Sequence, residues 1–171
     1  AYADGEGEIY LVPVTPAPRG AVADALEDAA FCRALAGQIR AAAVLPGQAG
    51  SFRFVPTPTL AALLPDLPVE AVRLSGEQSN SSVVLGQKAI LKLFRRLEAG
   101  PNPDVEVGDT LTRQGTFRGT PRLLGSASYL PADGAPITLL ALQEFLPNRG
   151  DAWTAALARL AEYYAAIPKG P

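Results

Sequence analysis

Histidine is absent from this 171-residue chain. Every Ser–His and Cys–His mechanism is thereby excluded, as is any histidine-ligated metal. Methionine is absent too, so the chain reads as a processed product or a piece of something longer. The Asp4-Gly5-Glu6-Gly7 turn runs straight into a strand pattern, which fits a cut close to a domain edge. A single cysteine, Cys32, leaves no partner for an internal disulfide and no cysteine-based metal cluster. It lies among alanines and apolar residues on an expected helix, as an inert buried thiol. No apolar run approaches the ~20 residues that cross a bilayer. The acidic, polar start from Ala1 to Glu8 does not resemble a signal peptide. The formal net charge of −2 offers no basic field to nucleic acid or anionic lipid. A cytoplasmic protein with neither nucleic acid nor membrane as partner is therefore expected. Asn80-Ser81-Ser82 is formally a glycosylation sequon, but no secretory signal accompanies it.

What is present describes a globular protein: 48% hydrophobic and 19% charged residues, in a chain long enough to bury a substantial core. Glu8 to Thr15 is rich in β-formers and reads as a strand, with Pro13 marking an edge or an end. Ala21 to Ala43 carries apolar residues at helical spacing, Glu27 and Asp28 early and Arg40 late, and reads as a helix that Gly37 weakens. Leu45 to Gly50 stops it. Ser51 to Val55 is a short strand, and the proline-rich Pro56 to Pro68 holds a short turn or helix. These 68 residues are expected to form a small α+β unit.

The second unit opens with a strand at 69–74, a polar loop from Gly76, a strand at 82–85, a turn at Gly86-Gln87-Lys88 and a strand at 89–94. Lys92 stands in the middle of that last, otherwise apolar strand. A lone ammonium in a buried strand is costly without an anionic partner. Beside a loop of small hydroxyl and amide residues, phosphate is such a partner. A helix at 103–115 follows, with Asn102 as N-cap and Gly115 as stop. Strands at 121–129 and 137–146 come next, then a helix at 152–166. Three strands, a helix and two strands are the plan of a kinase-like small lobe. Glu106, in the first two turns of the helix, is placed to reach Lys92 and aim it at phosphates, with Asp104 and Asp109 as competing carboxylates.

Four stretches carry a more specific resemblance: Glu-Gln-Ser-Asn-Ser-Ser at 77–82, Ile-Leu-Lys-Leu-Phe-Arg-Arg-Leu-Glu at 90–98, Gly-Pro-Asn-Pro-Asp-Val-Glu at 100–106, and Leu-Gln-Glu-Phe-Leu-Pro-Asn-Arg-Gly-Asp-Ala-Trp at 142–153. In order and spacing they resemble the maltokinases, including the maltokinase half of trehalose synthase–maltokinase fusions. That family has an aminoglycoside-phosphotransferase-like, protein-kinase-like fold. It transfers the γ-phosphate of ATP, with Mg2+, to maltose, giving maltose 1-phosphate.

The resemblance implies an α+β fold with an N-terminal cap subdomain (1–68), a protein-kinase-like small lobe of antiparallel sheet plus one helix (69–147), and the start of a helical large lobe (148–171). Ser79, Asn80, Ser81 and Ser82 become the phosphate-covering loop, in place of a P-loop, whose motif is absent. Lys92 holds the α- and β-phosphates, and Glu106 orients it. The backbone of Gln143, Glu144, Phe145 and Leu146 becomes the hinge facing adenine. Asp151 either reaches the ribose or caps the next helix. Arg95 and Arg96 read as surface or hinge-side charges, and Trp153, Tyr163 and Tyr164 as packing residues. The family's catalytic loop and magnesium-binding aspartate belong to the large lobe. No catalytic residue or metal ligand is thus expected within these residues, and the chain alone is expected to be inactive. Two other readings stay open: a related small-molecule kinase of the same fold, and a non-catalytic assembly module that binds a trehalose synthase.

Overall fold

The computed structural model describes residues 7–67, 70–74, 80–117, 119–148, 150 and 152–167. The chain starts with β1 (Ile9–Tyr10), β2 (Val14–Pro16) and β3 (Val22–Asp24), then a 3₁₀ turn at Ala25–Glu27 and α1 (Ala29–Arg40). Next come β4 (Val44–Gly47), β5 (Gly50–Pro56), α2 (Leu60–Leu63), β6 (Ala71–Arg73), β7 (Asn80–Leu85), β8 (Ala89–Phe94) and β9 (Arg96–Leu97). The series ends with α3 (Pro103–Gln114), β10 (Leu123–Pro131), β11 (Ile137–Glu144) and α4 (Ala152–Ala166).

Seven strands make one antiparallel sheet in the order β4-β5-β10-β11-β8-β7-β6. From β6 to β11 the elements follow the expected order of three strands, a helix and two strands. The sheet does not stop at residue 68, however: β5 pairs with β10 from Pro56↔Gly125 to Gly50↔Pro131. β1 pairs with β9, and β2 with β3, as small separate ribbons.

The strands alternate between two covered faces. On one, Val83, Leu85, Leu91, Leu93, Leu140 and Leu142 share a core with Leu26, Cys32, Ala36 and Ile39 around α1. On the other, Phe94, Leu123 and Ala141 form a smaller cluster with Val105 of α3. Burial of each such Leu or Ile contributes about 1.5–3 kcal/mol, so the first 67 residues supply a large part of the hydrophobic stabilisation of the sheet.

Several expectations need correction, beginning with the strand expected at Glu8 to Thr15, which is divided into β1, paired with β9, and β2, paired with β3. The helix begins at Ala29 rather than near Ala21, because two aspartates interrupt the alanine-rich run. Asp24 accepts a hydrogen bond from Leu26 N, starting the 3₁₀ turn, and Asp28 accepts one from Ala30 N, capping α1. Leu45 to Gly47 is no mere stop, since β4 forms a tight hairpin with β5. Gly37 does not divide α1; it brings the helix close to Leu67, whose Cδ1 would lie 3.5 Å from an added Cβ.

Helix α3 matches its expected limits. Asn102 accepts from Asp104 N at its start, and Gly115 closes it at φ 65°. Cys32 is fully buried, as expected. Burial, followed by the negative charges of Asp28 and Asp24, pushes its thiol up to about 11, leaving almost no thiolate at neutral pH. α4 has no buried residue. Trp153, Tyr163 and Tyr164, expected as packing residues, are exposed, with the two tyrosine rings edge to face at 5.7 Å. No helix of the described residues is long and apolar enough to cross a membrane.

Candidate functional site

β7 and β8 form a hairpin in which Ser82 lies directly opposite Lys92. On the other side of β8, Lys92 is paired with Ala141 of β11. Ser82 and Lys92 therefore project to the face that α3 and the end of β11 border. A cleft of about 330 Å3 opens there, its lining including Ser82, Ile90, Lys92, Phe145 and Leu146 together with Leu74 and Pro121. Six of the residues singled out from sequence thus meet in one cavity: Ser82, Lys92, Gln143, Glu144, Phe145 and Leu146. Its walls are largely apolar, and an ammonium and a hydroxyl stand on one side, a composition usual for small-molecule sites.

The carboxylate that meets Lys92 is Asp104: Nζ lies 2.6 Å from Oδ2. The sequence reading put Glu106 in that role. Asp104 is the second residue of α3, where the helix starts beside β8, and Asn102 holds its backbone N–H. Glu106 is exposed one half-turn further on, its carbonyl accepting from Thr110 Oγ1. Lys92 also lies 5.9 Å from the centroid of the Phe94 ring, within cation–π range. The side chains of Lys92 and Asp104 keep 26% and 44% of their surface exposed, so the pair is open to exchange with another anion.

The strand expected from Ser82 already begins at Asn80, so Asn80 and Ser81, like Ser82, belong to β7 rather than to a loop. Alternation separates them. Ser82 faces the cleft. Ser81 faces the α1 side, where its Oγ accepts from Arg95 Nε at 2.9 Å. Asn80 lines a second hollow of about 310 Å3 with Phe94, Asn102 and Asp104. Ser79 and Asp151 lie outside the described residues.

The segment expected as hinge, 143–146, is tied back to the sheet. Glu144 N donates to Arg122 O, and Phe145 N donates to Lys88 O in the β7–β8 turn. Glu144 itself makes a two-pronged pair with Arg122, both contacts at 2.8 Å. Its carboxylate is thus committed to holding the end of β11. Among the described residues no group of three or more His, Cys, Asp or Glu side chains could hold a metal ion.

Sequence reasoning missed Arg95 and Asp24. Arg95, read as a surface or hinge-side charge, is only 16% exposed and lies 2.5 Å from Asp24 Oδ2. The signal was available in the charge itself: an arginine ending a buried strand needs a partner as much as a lysine within one.

No family model matches the chain. It is 34% identical over 95 residues to a glucosamine kinase of Mycolicibacterium smegmatis, a match that covers 54% of this chain and 24% of that protein. Its fold is similar to that of a glucosamine kinase solved in complex with glucosamine, ADP and inorganic phosphate, with TM-score 0.58 and 22% identity, covering 91% of this chain and 35% of the other. A second glucosamine kinase structure, crystal form A, gives TM-score 0.54 and 22% identity over 92% of this chain and 34% of that one. The chain therefore spans about a third of the solved structures, and its sequence match about a quarter of the curated relative. The fold is a mixed α/β one with a multi-strand antiparallel sheet, similar to that of glucosamine kinases. These relatives are sugar kinases by name; none of them is a maltokinase.

Proposed function

We propose that this chain is the nucleotide-gripping part of an ATP-dependent sugar kinase. One observation carries the reading: Ser82, Lys92 and the segment Gln143 to Leu146 line a single cleft. The donor set fits a nucleotide. Ile90, Phe145, Leu146, Leu74 and Pro121 supply apolar surface for a base, and the Lys92 ammonium with the Ser82 hydroxyl supplies donors for phosphate oxygens. Phosphoryl transfer asks the protein mainly for positioning and charge stabilisation. In this reading Asp104 holds Lys92 extended across the face until phosphates share its charge. Glu106, assigned this orienting part by the family resemblance, is the alternative carboxylate. Asn80 and, by the family resemblance, Ser79 are the further phosphate-binding candidates. Asp151, by the same resemblance, is the candidate ribose ligand or helix cap. The described residues gather no donor set for magnesium.

For the acceptor, the reading we favour is an amino sugar, supported by the 34% identical glucosamine kinase. Maltose is the second reading, favoured by the motifs at 77–82, 90–98, 100–106 and 142–153. In both, the transfer is carried out by the whole protein of which this chain forms part.

Calorimetric titration of the 171-residue chain with ADP, with and without magnesium, tests the nucleotide reading. Saturable binding that Lys92→Ala weakens is the expected result; no binding by the parent chain overturns it. ADP release by the whole protein, measured with glucosamine and with maltose, separates the acceptors. A preference for maltose would return the second reading to first place.

A further inference from the structure

We infer that Asp24 and Arg95 are positioning residues that set, from the opposite face of the sheet, where Ser82 and Lys92 stand. The inference rests on the nucleotide reading of that pair. Asp24 lies in the N-terminal third of the chain, at the end of β3. Its Oδ2 is 2.5 Å from Arg95 and 3.2 Å from Arg73, while its Oδ1 accepts from Leu26 N at 3.1 Å. Arg73 ends β6 and also reaches Glu27 at 2.5 Å. Arg95 follows β8 directly and donates to Ser81 of β7 at 2.9 Å. Its third contact is the Leu11 carbonyl at 3.4 Å, and its own carbonyl accepts from Leu11 N at 2.8 Å.

One carboxylate therefore gathers the same end of β6, β7 and β8. That is the end at which Ser81↔Leu93 and Ser82↔Lys92 are consecutive rungs of the ladder. Ser81 and Ser82 share a peptide bond but face opposite sides. Any slip of Ser81 away from Arg95 carries Ser82 with it, relative to Lys92. Binding groups must hold their geometry to within about 0.5 Å, and misplacement by 1 Å can cost about a hundredfold. The network is placed to prevent such a slip: its side chains lie on the α1 side and are joined to the cleft through the backbone of β6, β7 and β8, Arg73 preceding the cleft residue Leu74, whose N–H donates to Ser82 O.

The test measures ADP affinity of the full chain by calorimetry, well below each variant's melting transition. Asp24→Ala and Arg95→Ala are each expected to weaken binding by about tenfold, part of the cost of a full misplacement. The double variant is expected to be no weaker than either single one, since both break one network. Asp24→Glu, which keeps the charge, is expected to recover affinity. Arg113→Ala, which breaks only the exposed pair with Asp109 on α3, leaves it unchanged. If folded Asp24→Ala binds ADP as tightly as the parent, the inference is wrong while the nucleotide reading stands. If the parent does not bind ADP, both fall. Should Asp24→Ala not fold, Ser81→Ala decides: it removes one hydroxyl from the same network, and parental affinity in that variant overturns the inference.

Discussion

Lys92, within β8, and Arg95, directly after it, each stand against an aspartate, on opposite faces of the sheet. The Arg95 pair is enclosed, with side chains 16% and 27% exposed, and continues into Arg73, Ser81 and Leu11. The Lys92 pair is more open, at 26% and 44%, and borders a cleft. Enclosed, branching ion networks hold backbone in place; an open pair of one cation and one carboxylate costs little to separate. The difference assigns the two cations different work. The α1 face holds the sheet in register, and the α3 face presents a charge that a ligand can take over.

If the α1 face is the structural one, disturbing it lowers stability most. Gly125 of β10 lies close against α1: an added Cβ would lie 2.3 Å from Ile39 Cγ2 and 2.7 Å from Val55 O. Ile39 is fully buried and cannot retreat. Gly125→Ala is expected to cost about 3 kcal/mol, seen as a fall of roughly 10 °C in the calorimetric Tm. A Tm within 2 °C of the parent, roughly the shift of less than 1 kcal/mol, would show that this face is looser than described.

On the α3 face the pattern reverses. Lys92→Ala is expected to weaken ADP binding by about ten- to a hundredfold, the range for a charge-assisted hydrogen bond. Its Tm should stay close to the parent's, because an exposed pair contributes about 0–1 kcal/mol. The two candidate carboxylates are separated by the same titration. Asp104→Asn should move ADP affinity more than Glu106→Gln, and the opposite order would return the orienting part to Glu106.

The sequence shows the α3 face far better than the α1 face, for physical reasons. The β7–β8 hairpin, the Asn102 cap and the Gly115 stop are local devices, each written in a few adjacent residues. The lone lysine in an apolar strand announces its need for an anion. Which of Asp104 and Glu106 supplies it depends on where the first turn of α3 meets β8, a tertiary fact. On the α1 face the decisive pairings are distant in sequence. β5 with β10 and Asp24 with Arg95 each join residues about seventy apart. Nothing near Ser81 and Ser82 says that one faces each way until the strand is seen to begin at Asn80. The alanine-rich run at 21–28 looks helical by propensity, and two aspartate side chains override it.

Acid sharpens the same contrast. Burial raises the Asp24 carboxyl, but the Leu26 N–H and the Arg95 and Arg73 guanidiniums outweigh it and hold it below its ordinary value. A carboxylate depressed in the folded state adds stability that is complete above its unfolded pKa, about 3.9. That stability is lost as pH falls from there through the lowered folded value. The Tm difference between the parent and Asp24→Asn should therefore be constant near neutrality and shrink from about pH 5 down to pH 2. A difference that does not change with pH in that range would mean that the charge on Asp24 is not what holds the network.

The smallest effect compares how the two helices end. α3 closes on Gly115 at φ 65°, while α1 closes on Ala42 at φ 50°. At α1, Ala42 N donates to Ile39 O and Ala43 N to Gln38 O, the paired bonds of a closing turn that requires the left-handed conformation. An alanine there strains its Cβ against the backbone by about 1–2 kcal/mol, a cost glycine does not carry. Glycine also gains freedom in the unfolded chain, which returns part of the benefit. Ala42→Gly should thus stabilise the protein by about 0.5–1 kcal/mol, a rise of roughly 2–4 °C in Tm. ADP affinity should not change, since Ala42 lies on the α1 side, away from the cleft. A lower Tm would mean that the alanine methyl is held by contacts that outweigh its strain, and that the α1 face is as well fitted at this helix end as it is around Gly125.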